Sequence, residues 1–159
     1  MTRSFGGTRL SPSGRSHAAR VAAEIDAELR SLPSANTPGE RAVRRAWSSR
    51  LRHQSGALVY AVGRRLRYQC GLRFVSYELI AHHPDAYRLL TEARLVSLGC
   101  GLDSWHAVDS FARILAGPAW RDGFIADLSI LKWARSSDRW WRRAALGSTV
   151  ALNLRFPHG

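Results

Sequence analysis

The chain has 159 residues, 45% of them hydrophobic, which suffices for one domain with a buried core and argues against a disordered protein. Its 24 basic residues outnumber the 12 acidic ones, giving a formal net charge of +12, so the expected partner is a polyanion. No apolar run is long enough to cross a membrane. Lys132 is the single lysine, and the abundant arginine suits bidentate phosphate contacts. The charge alone is also compatible with a basic surface that is simply solvated and binds no polyanion.

Residues 1–16 are rich in glycine, serine, arginine and proline and lack the apolar core of a secretory signal. They are predicted to be a disordered basic arm, followed by a folded domain over residues 17–159. The two cysteines, Cys70 and Cys100, have neither metal-ligand spacing nor partner histidines, so no metal site and no disulfide framework is expected. A reduced, cytoplasmic protein without membrane association is the expectation.

Apolar residues at helical spacing predict about eight helices and no strands. Thr37 followed by Pro38 is the pattern of a helix start, while residues 33–39 and Gly117-Pro118 are predicted to break the chain. The predicted helices span approximately 17–32, 38–51, 55–69, 74–82, 84–99, 104–116, 124–135 and 139–154. The fold class is therefore all-α, and successive antiparallel helices of this size favour an α-solenoid, with an ordinary helical bundle as the alternative.

The positive charge is unevenly distributed along the sequence. Residues 1–77 contain 14 arginines and 4 acidic residues, whereas residues 78–159 contain 10 basic and 8 acidic residues. Nine arginines and no acidic residue lie between Arg41 and Tyr77. A helical wheel of the helix that begins near Thr37 places Arg41, Arg44, Arg45 and Arg52 opposite the apolar residues Val43, Ala46, Trp47 and Leu51. This pattern favours a nucleic-acid face over a chance cluster.

Residues 99–116 contain the most informative helix. Gly99 and Gly101 interrupt the preceding element, and Asp103 or Ser104 can cap a new helix. One face of that helix is apolar, and Trp105 and Asp109, four residues apart, lie at its boundary with the polar face. An aromatic ring and a carboxylate at this position suit a cleft better than a core.

Three sequence segments, taken together, resemble the HEAT-like-repeat DNA glycosylases of the AlkD type, the DNA alkylation repair enzyme family. The first runs from Arg44 to Leu51 and continues with Phe74–Ile80 and His82–Pro84. The second is Asp103–Asp109, and the third is Trp133–Ser136 leading to Trp140–Leu146. Each segment is a weak match alone, but their order and spacing are specific in combination.

This resemblance implies a domain of degenerate HEAT-like helical repeats that cradles duplex DNA. Such enzymes hydrolyse the N-glycosidic bond of purines alkylated at N3 or N7 and use no metal or organic cofactor. The catalytic aspartate corresponds to Asp109, the cleft tryptophan to Trp105 and an arginine that holds the DNA backbone to Arg143. The basic pair Arg44 and Arg45 adds expected DNA contacts. Members normally continue beyond the point where this chain stops, so the resemblance implies that the usual C-terminal helices are lacking.

Simpler interpretations remain open at the same positions. Trp105 could pack in the core, and Asp109 could pair with Arg113 one turn later. Trp133 and Trp141 are expected in the core, and His82, His83 and His106 are expected to cap helices or lie on the surface. For the whole chain, the alternative to a glycosylase is a non-catalytic helical-repeat module that binds nucleic acid. A monomer is expected, with a dimer through the uncapped C-terminal end as the alternative.

Overall fold

The computed structural model describes residues 9–34 and 36–153, and within them the only regular secondary structure is helical. The predicted all-α class is confirmed. The helices are α1 (Pro12–Arg30), α2 (Thr37–Arg50), α3 (Gly56–Tyr68), α4 (Arg73–Ala81), α5 (Pro84–Tyr87), α6 (Glu92–Gly99), α7 (Trp105–Phe111), α8 (Gly117–Arg121), α9 (Asp127–Ala134), α10 (Arg139–Ser148) and α11 (Val150–Asn153). A π-helical segment (Ala112–Ala116) joins α7 directly to α8.

Packing arranges most of these helices in two rows. In the first row, α3 packs against both α1 and α5. In the second row, α4 packs against α2 and α7, and α7 packs in turn against α10. Contacts of α1 with α2 and of α3 with α4 join the rows. Elements that are close in the sequence are therefore neighbours in space, and α7 lies between α4 and α10.

Helix α1 begins earlier than the sequence pattern predicts. The Ser11 hydroxyl accepts a hydrogen bond from the Gly14 N–H at 3.1 Å, and Pro12 occupies the first turn, so the helix starts five residues before His17. Residues 12–16, expected to belong to the disordered arm, are helical. Residues 1–8 of that arm lie outside the described part of the chain.

The start of α2 also differs from the prediction. The cap is Asn36 rather than Thr37, because the Asn36 side-chain oxygen accepts the Gly39 N–H at 2.8 Å. Thr37 and Pro38 then lie in the first turn. An amide side chain one residue upstream thus satisfies the free N–H group that the threonine was expected to satisfy.

The single helix predicted over 84–99 is two helices. Helix α5 ends at Tyr87, and α6 begins after Thr91, whose hydroxyl accepts the Arg94 N–H at 3.3 Å. The apolar spacing continues across the gap, so periodicity alone did not reveal the interruption. Helix α9 likewise starts at Asp127 rather than Phe124, and the predicted last helix is divided between α10 and α11, with Leu154 outside the described residues.

The predicted break at Gly117-Pro118 is wrong, because the helix continues from Trp105 to Arg121. The Gly117 N–H bonds to the Ala112 carbonyl, five residues back, which is the spacing of a π-helix. In an ordinary α-helix the proline ring would clash with the carbonyl four residues earlier, and the wider turn before Pro118 relieves that conflict. The proline is therefore accommodated by a change of helix type.

An aromatic cluster fills the core between α4, α7 and α10. The Tyr77 and Phe111 rings meet edge-on with centroids 5.7 Å apart, and Trp141 lies 5.0 Å from Trp133 and 5.9 Å from Phe111. A Cβ atom on Gly99 would lie 2.8 Å from the Trp141 ring and 2.9 Å from that of Phe111. Gly99 therefore lets the end of α6 approach the cluster. Of the two tryptophans expected in the core, Trp133 is buried and Trp141 is only half-buried.

Candidate functional site

Helix α7 presents Trp105 and Asp109 at the boundary between core and surface, as the wheel predicted. The Ser104 hydroxyl caps the helix by accepting the Ala107 N–H at 3.3 Å, and Val108 and Phe111 are fully buried. Trp105 is 54% exposed, which rules out the core alternative. Its indole stacks on the neighbouring His106 imidazole with ring centroids 3.4 Å apart. The helix thus offers an aromatic face and a carboxylate on consecutive turns.

The Asp109 carboxylate is held by Arg143 of α10. The Arg143 Nε donates to Oδ1 of Asp109 at 2.8 Å and its Nη2 donates to Oδ2 at 2.9 Å, which is a bidentate ion pair. The packing of α7 against α10 brings together two residues that are 34 positions apart in the sequence. The alternative pairing of Asp109 with Arg113 is therefore not the one observed.

The pair changes the acid–base properties of both groups. The hydrogen bond from Arg143 is the main cause that lowers the pKa of Asp109, and the positive charges of Arg143 and Arg113 act in the same direction against partial burial. The same hydrogen bond raises the pKa of Arg143. Asp109 is accordingly held as an anion over the neutral and mildly acidic range.

Next to the pair, the surface forms an open depression of about 470 Å³. Its lining comprises Asp109, Arg113, Arg143, Leu146, Gly147, Thr149 and Val150. Leu146 is 72% exposed, so the depression combines a carboxylate and two guanidinium groups with an uncovered apolar rim. Among the described residues, no three histidine, cysteine, aspartate or glutamate side chains are grouped as metal ligands would be.

Two arginines that sequence reasoning did not single out fix the chain that leads into α7. Arg73 donates to the Asp103 carboxylate at 3.0 Å and to the Gly101 carbonyl at 2.7 Å. Arg67 donates to the carbonyls of Leu98 and Cys100. Their only sequence signal was membership of the acid-free arginine band, which suggested nucleic-acid contacts instead. Both guanidinium groups act on the backbone that positions α7.

Arg44 and Arg45, which were both expected to contact DNA, have different environments in the structure. Arg44 is buried and its Nε donates to the Glu78 carboxylate at 3.0 Å, while Arg41 donates to the other oxygen of Glu78 at 3.2 Å. The prediction that Arg44 projects outward for DNA contact is wrong, since a buried guanidinium needs a carboxylate partner and Glu78 supplies it. Arg45 is exposed, and none of the ion pairs found among the described residues includes it.

Three of the six histidines, at positions 82, 83 and 106, cap helices or lie on the surface, as expected. The His83 Nδ1 accepts the Ala86 N–H at 3.2 Å and thereby caps α5. The His82 ring lies 2.8 Å from the Glu78 carbonyl at the end of α4, and His106 is exposed beside Trp105. Neither His82 nor His83 lines the depression beside Asp109.

A family model described as DNA alkylation repair enzyme matches residues 36–154, which is most of the chain. This range includes Trp105, Asp109 and Arg143 and begins after α1. Searches of curated proteins and of solved structures give no match. No helix in the described part of the chain has the length and apolar character that a bilayer span requires.

Proposed function

Because this chain belongs to the DNA alkylation repair enzyme family, we propose that it is a DNA glycosylase acting on duplex DNA. Its substrates are purines that carry an alkyl group at N3 or N7 and are therefore cationic, and its reaction is hydrolysis of the N-glycosidic bond. The observation that carries the proposal is the ionised Asp109 carboxylate, held by Arg143 one turn from the exposed Trp105 indole.

The chemistry of the substrate suits this small set of groups. An alkylated cationic purine is already a good leaving group and needs no general acid. As the bond breaks, positive charge develops on the deoxyribose, and a nearby carboxylate stabilises that charge and can orient or deprotonate the attacking water. Asp109 has this role in the proposal, and the π face of Trp105 attracts the same developing cation.

Arg143 has two roles in the proposal. In the free protein it keeps Asp109 ionised and oriented through two hydrogen bonds. With DNA bound, the same guanidinium can turn one or both of its donors to a backbone phosphate near the lesion. No metal or organic cofactor takes part in this mechanism.

The two rows of helices fit a solenoid of degenerate HEAT-like repeats, in which one row faces DNA. Arg45 on α2 and Arg143 on α10 both belong to the second row, with α4 and α7 between them. We therefore place the DNA backbone along this row, with the lesion over α7. A cytoplasmic location, where such DNA is accessible in a cell without a nucleus, completes the proposal.

Release of base from duplex DNA that contains 7-methylguanine tests the proposed function. We expect Asp109→Asn to slow release by about 10²–10⁴-fold, since the substitution removes the charge but keeps the shape. The matched control is Asp85→Asn, which neutralises an exposed aspartate on α5 that pairs only locally with Arg88. Equal rates for the parent protein and Asp109→Asn would refute the assigned role.

The second candidate function is a non-catalytic module that binds nucleic acid, and one observation favours it. In the free protein the Asp109 charge is already neutralised by Arg143, as in a purely structural ion pair. This candidate predicts duplex binding that weakens steeply with salt, without base release from any alkylated substrate. The release assay and a binding assay on the same DNA therefore distinguish the two.

A further inference from the structure

A second concave surface lies away from Asp109, on two helices of the first row and on α6. It has a volume of about 610 Å³, within the range of small-molecule sites, and is formed by α1, α3 and α6. We name it the arginine–tyrosine groove after its characteristic lining residues, Arg15, Arg64, Arg65, Arg94, Tyr60 and Tyr68. Helix α1 precedes the residues that match the family model, so one wall of the groove lies outside the family match.

The lining of the groove is strongly positive. It includes four arginines and no aspartate or glutamate. Within the described residues, Arg15, Arg64 and Arg65 form no ion pair with a carboxylate; Arg15 donates to the Leu10 carbonyl and Arg65 to the Gln69 side chain. Their charges are not neutralised by neighbouring acids, unlike those of Arg41 and Arg143. An anion entering the groove would meet guanidinium groups without a carboxylate competitor.

Two tyrosine rings lie among these charges. Tyr68 is 46% exposed, with the guanidinium carbons of Arg64 and Arg67 at 5.8 Å and 5.0 Å from its ring centroid. The Tyr68 hydroxyl bonds to Ser97 of α6, which fixes the ring at the groove wall. Tyr60 is less exposed and has Arg94 at 4.8 Å from its ring centroid. The Tyr68 ring is therefore held in place beside guanidinium groups while nearly half of the residue stays exposed, which leaves ring surface on which a planar ligand can stack.

We propose that the arginine–tyrosine groove binds a nucleotide, with the base stacked on Tyr68 and the phosphate held by Arg64 and Arg65. Guanidinium groups beside fixed aromatic rings are the combination that binds single-stranded nucleic acid without sequence preference. The nucleotide is either a free molecule or one unit of a single strand. This site goes beyond the proposed glycosylase function and does not depend on it, because the two sites share no residue.

The test measures the fluorescence anisotropy of a labelled oligothymidylate of about 12 nucleotides. We expect Arg64→Ala and Tyr68→Ala each to weaken binding about 10-fold, whereas Tyr68→Phe, which keeps the ring but loses the hydroxyl contacts with Ser97, should weaken it less than Tyr68→Ala. The matched control is Arg52→Ala, which removes an exposed charge from the acid-free arginine band but not from the groove. Arg64→Ala should also reduce the slope of log K against log salt by about 0.7.

Competition with thymidine 5′-monophosphate distinguishes the two sources of the nucleotide. Displacement at concentrations near the affinity of the oligonucleotide supports a site for the free molecule, and failure to displace it supports a site for a strand. Two results would overturn the proposal: equal weakening by Arg64→Ala and Arg52→Ala, or equal weakening by Tyr68→Phe and Tyr68→Ala. Asp109→Asn should leave oligothymidylate binding intact and Arg64→Ala should leave base release intact, so the two proposals fail separately.

Discussion

At the scale of single residues, the Asp109–Arg143 pair joins two groups that the sequence suggested for separate tasks. The resemblance implied a catalytic role for Asp109 and a DNA-backbone contact for Arg143, yet in the free protein the two side chains bind each other with two hydrogen bonds. Both side chains are partly exposed, so solvent screens their attraction and the pair adds little stability. Its main effect is to fix the charge and the orientation of the carboxylate.

The pH dependence of Asp109 follows from this pair. Arg143→Ala should raise the pKa of Asp109, since the substitution removes the hydrogen bond that chiefly lowers it. In the unsubstituted protein the depressed pKa means that the pair's contribution to stability is complete above the unfolded-state pKa, about 3.9, and is lost as pH falls through the native value. An NMR titration of the Asp109 carboxyl carbon measures the change. Arg113→Ala is the control, with a smaller rise, and a larger rise for Arg113→Ala would contradict the assignment.

The charge of Glu78 is expected to contribute strongly to the stability of the fold. Glu78→Gln should lower the free energy of unfolding by about 3–5 kcal/mol, because it leaves the buried Arg44 guanidinium without a counter-charge. Urea unfolding monitored by circular dichroism measures this. Arg41→Ala is the control, since the Arg41 side chain is 49% exposed and its loss should cost no more than about 1 kcal/mol. Similar decreases in the free energy of unfolding for the two variants would show that the buried ion pair of Arg44 with Glu78 contributes no more than the exposed one of Arg41.

At the scale of helices, local signals in the sequence predicted where several elements begin but not how far they extend. Ser55, Ser104 and Asp138 cap α3, α7 and α10 near the predicted starts. The interruption at residues 88–91 and the continuity through Pro118 were missed, because both depend on contacts and on helix type rather than on periodicity. The placement of Trp105 and Asp109 on one helix was predicted from the sequence, whereas the contacts of Arg67, Arg73 and Glu78 depend on long-range partners that the sequence does not reveal.

The continuity of α7, the π-segment and α8 can be tested at Gly117. A Cβ atom there would lie 2.7 Å from the Ser148 carbonyl oxygen and 2.9 Å from that of Ala112. Gly117→Ala should therefore destabilise the protein by about 1–3 kcal/mol, although alanine in a helix usually gains up to about 1 kcal/mol over glycine. Thermal unfolding measures the effect. The control, Gly14→Ala in α1, meets only side-chain atoms at 3.3 Å or more and should be neutral or mildly stabilising.

At the scale of the whole molecule, the positive charge serves two purposes. Arg44, Arg67 and Arg73 are bound to a carboxylate or to backbone carbonyls and hold helices together. Arg45 and Arg64 are exposed and contribute to the field that a polyanion meets. The sequence shows the excess of arginine but does not reveal which arginines are structural and which are exposed. A buried arginine and an exposed one differ only in their long-range partners.

Salt dependence separates these two classes of arginine. Arg45→Ala should reduce the slope of log K against log salt for duplex binding by about 0.9, since one phosphate contact is lost. Arg67→Ala should leave the slope unchanged but lower the unfolding temperature, because the carbonyls of Leu98 and Cys100 lose their donor. Anisotropy titrations at several salt concentrations provide the measurement. If Arg67→Ala reduced the salt slope more than Arg45→Ala does, the assignment of Arg67 to the structural arginines and of Arg45 to the DNA-binding ones would be incorrect.

The π-helical segment Ala112–Ala116 sets the rotational phase between the two halves of one continuous helix. An α-helix turns about 100° per residue, so a π-turn, which accommodates one extra residue, offsets the side chains before it from those after it. If the same residues formed an ordinary α-helix instead, Trp105 and Asp109 would be rotated by about 100° relative to the buried Ala119. The direction in which the carboxylate points is thus set by a backbone irregularity several residues away.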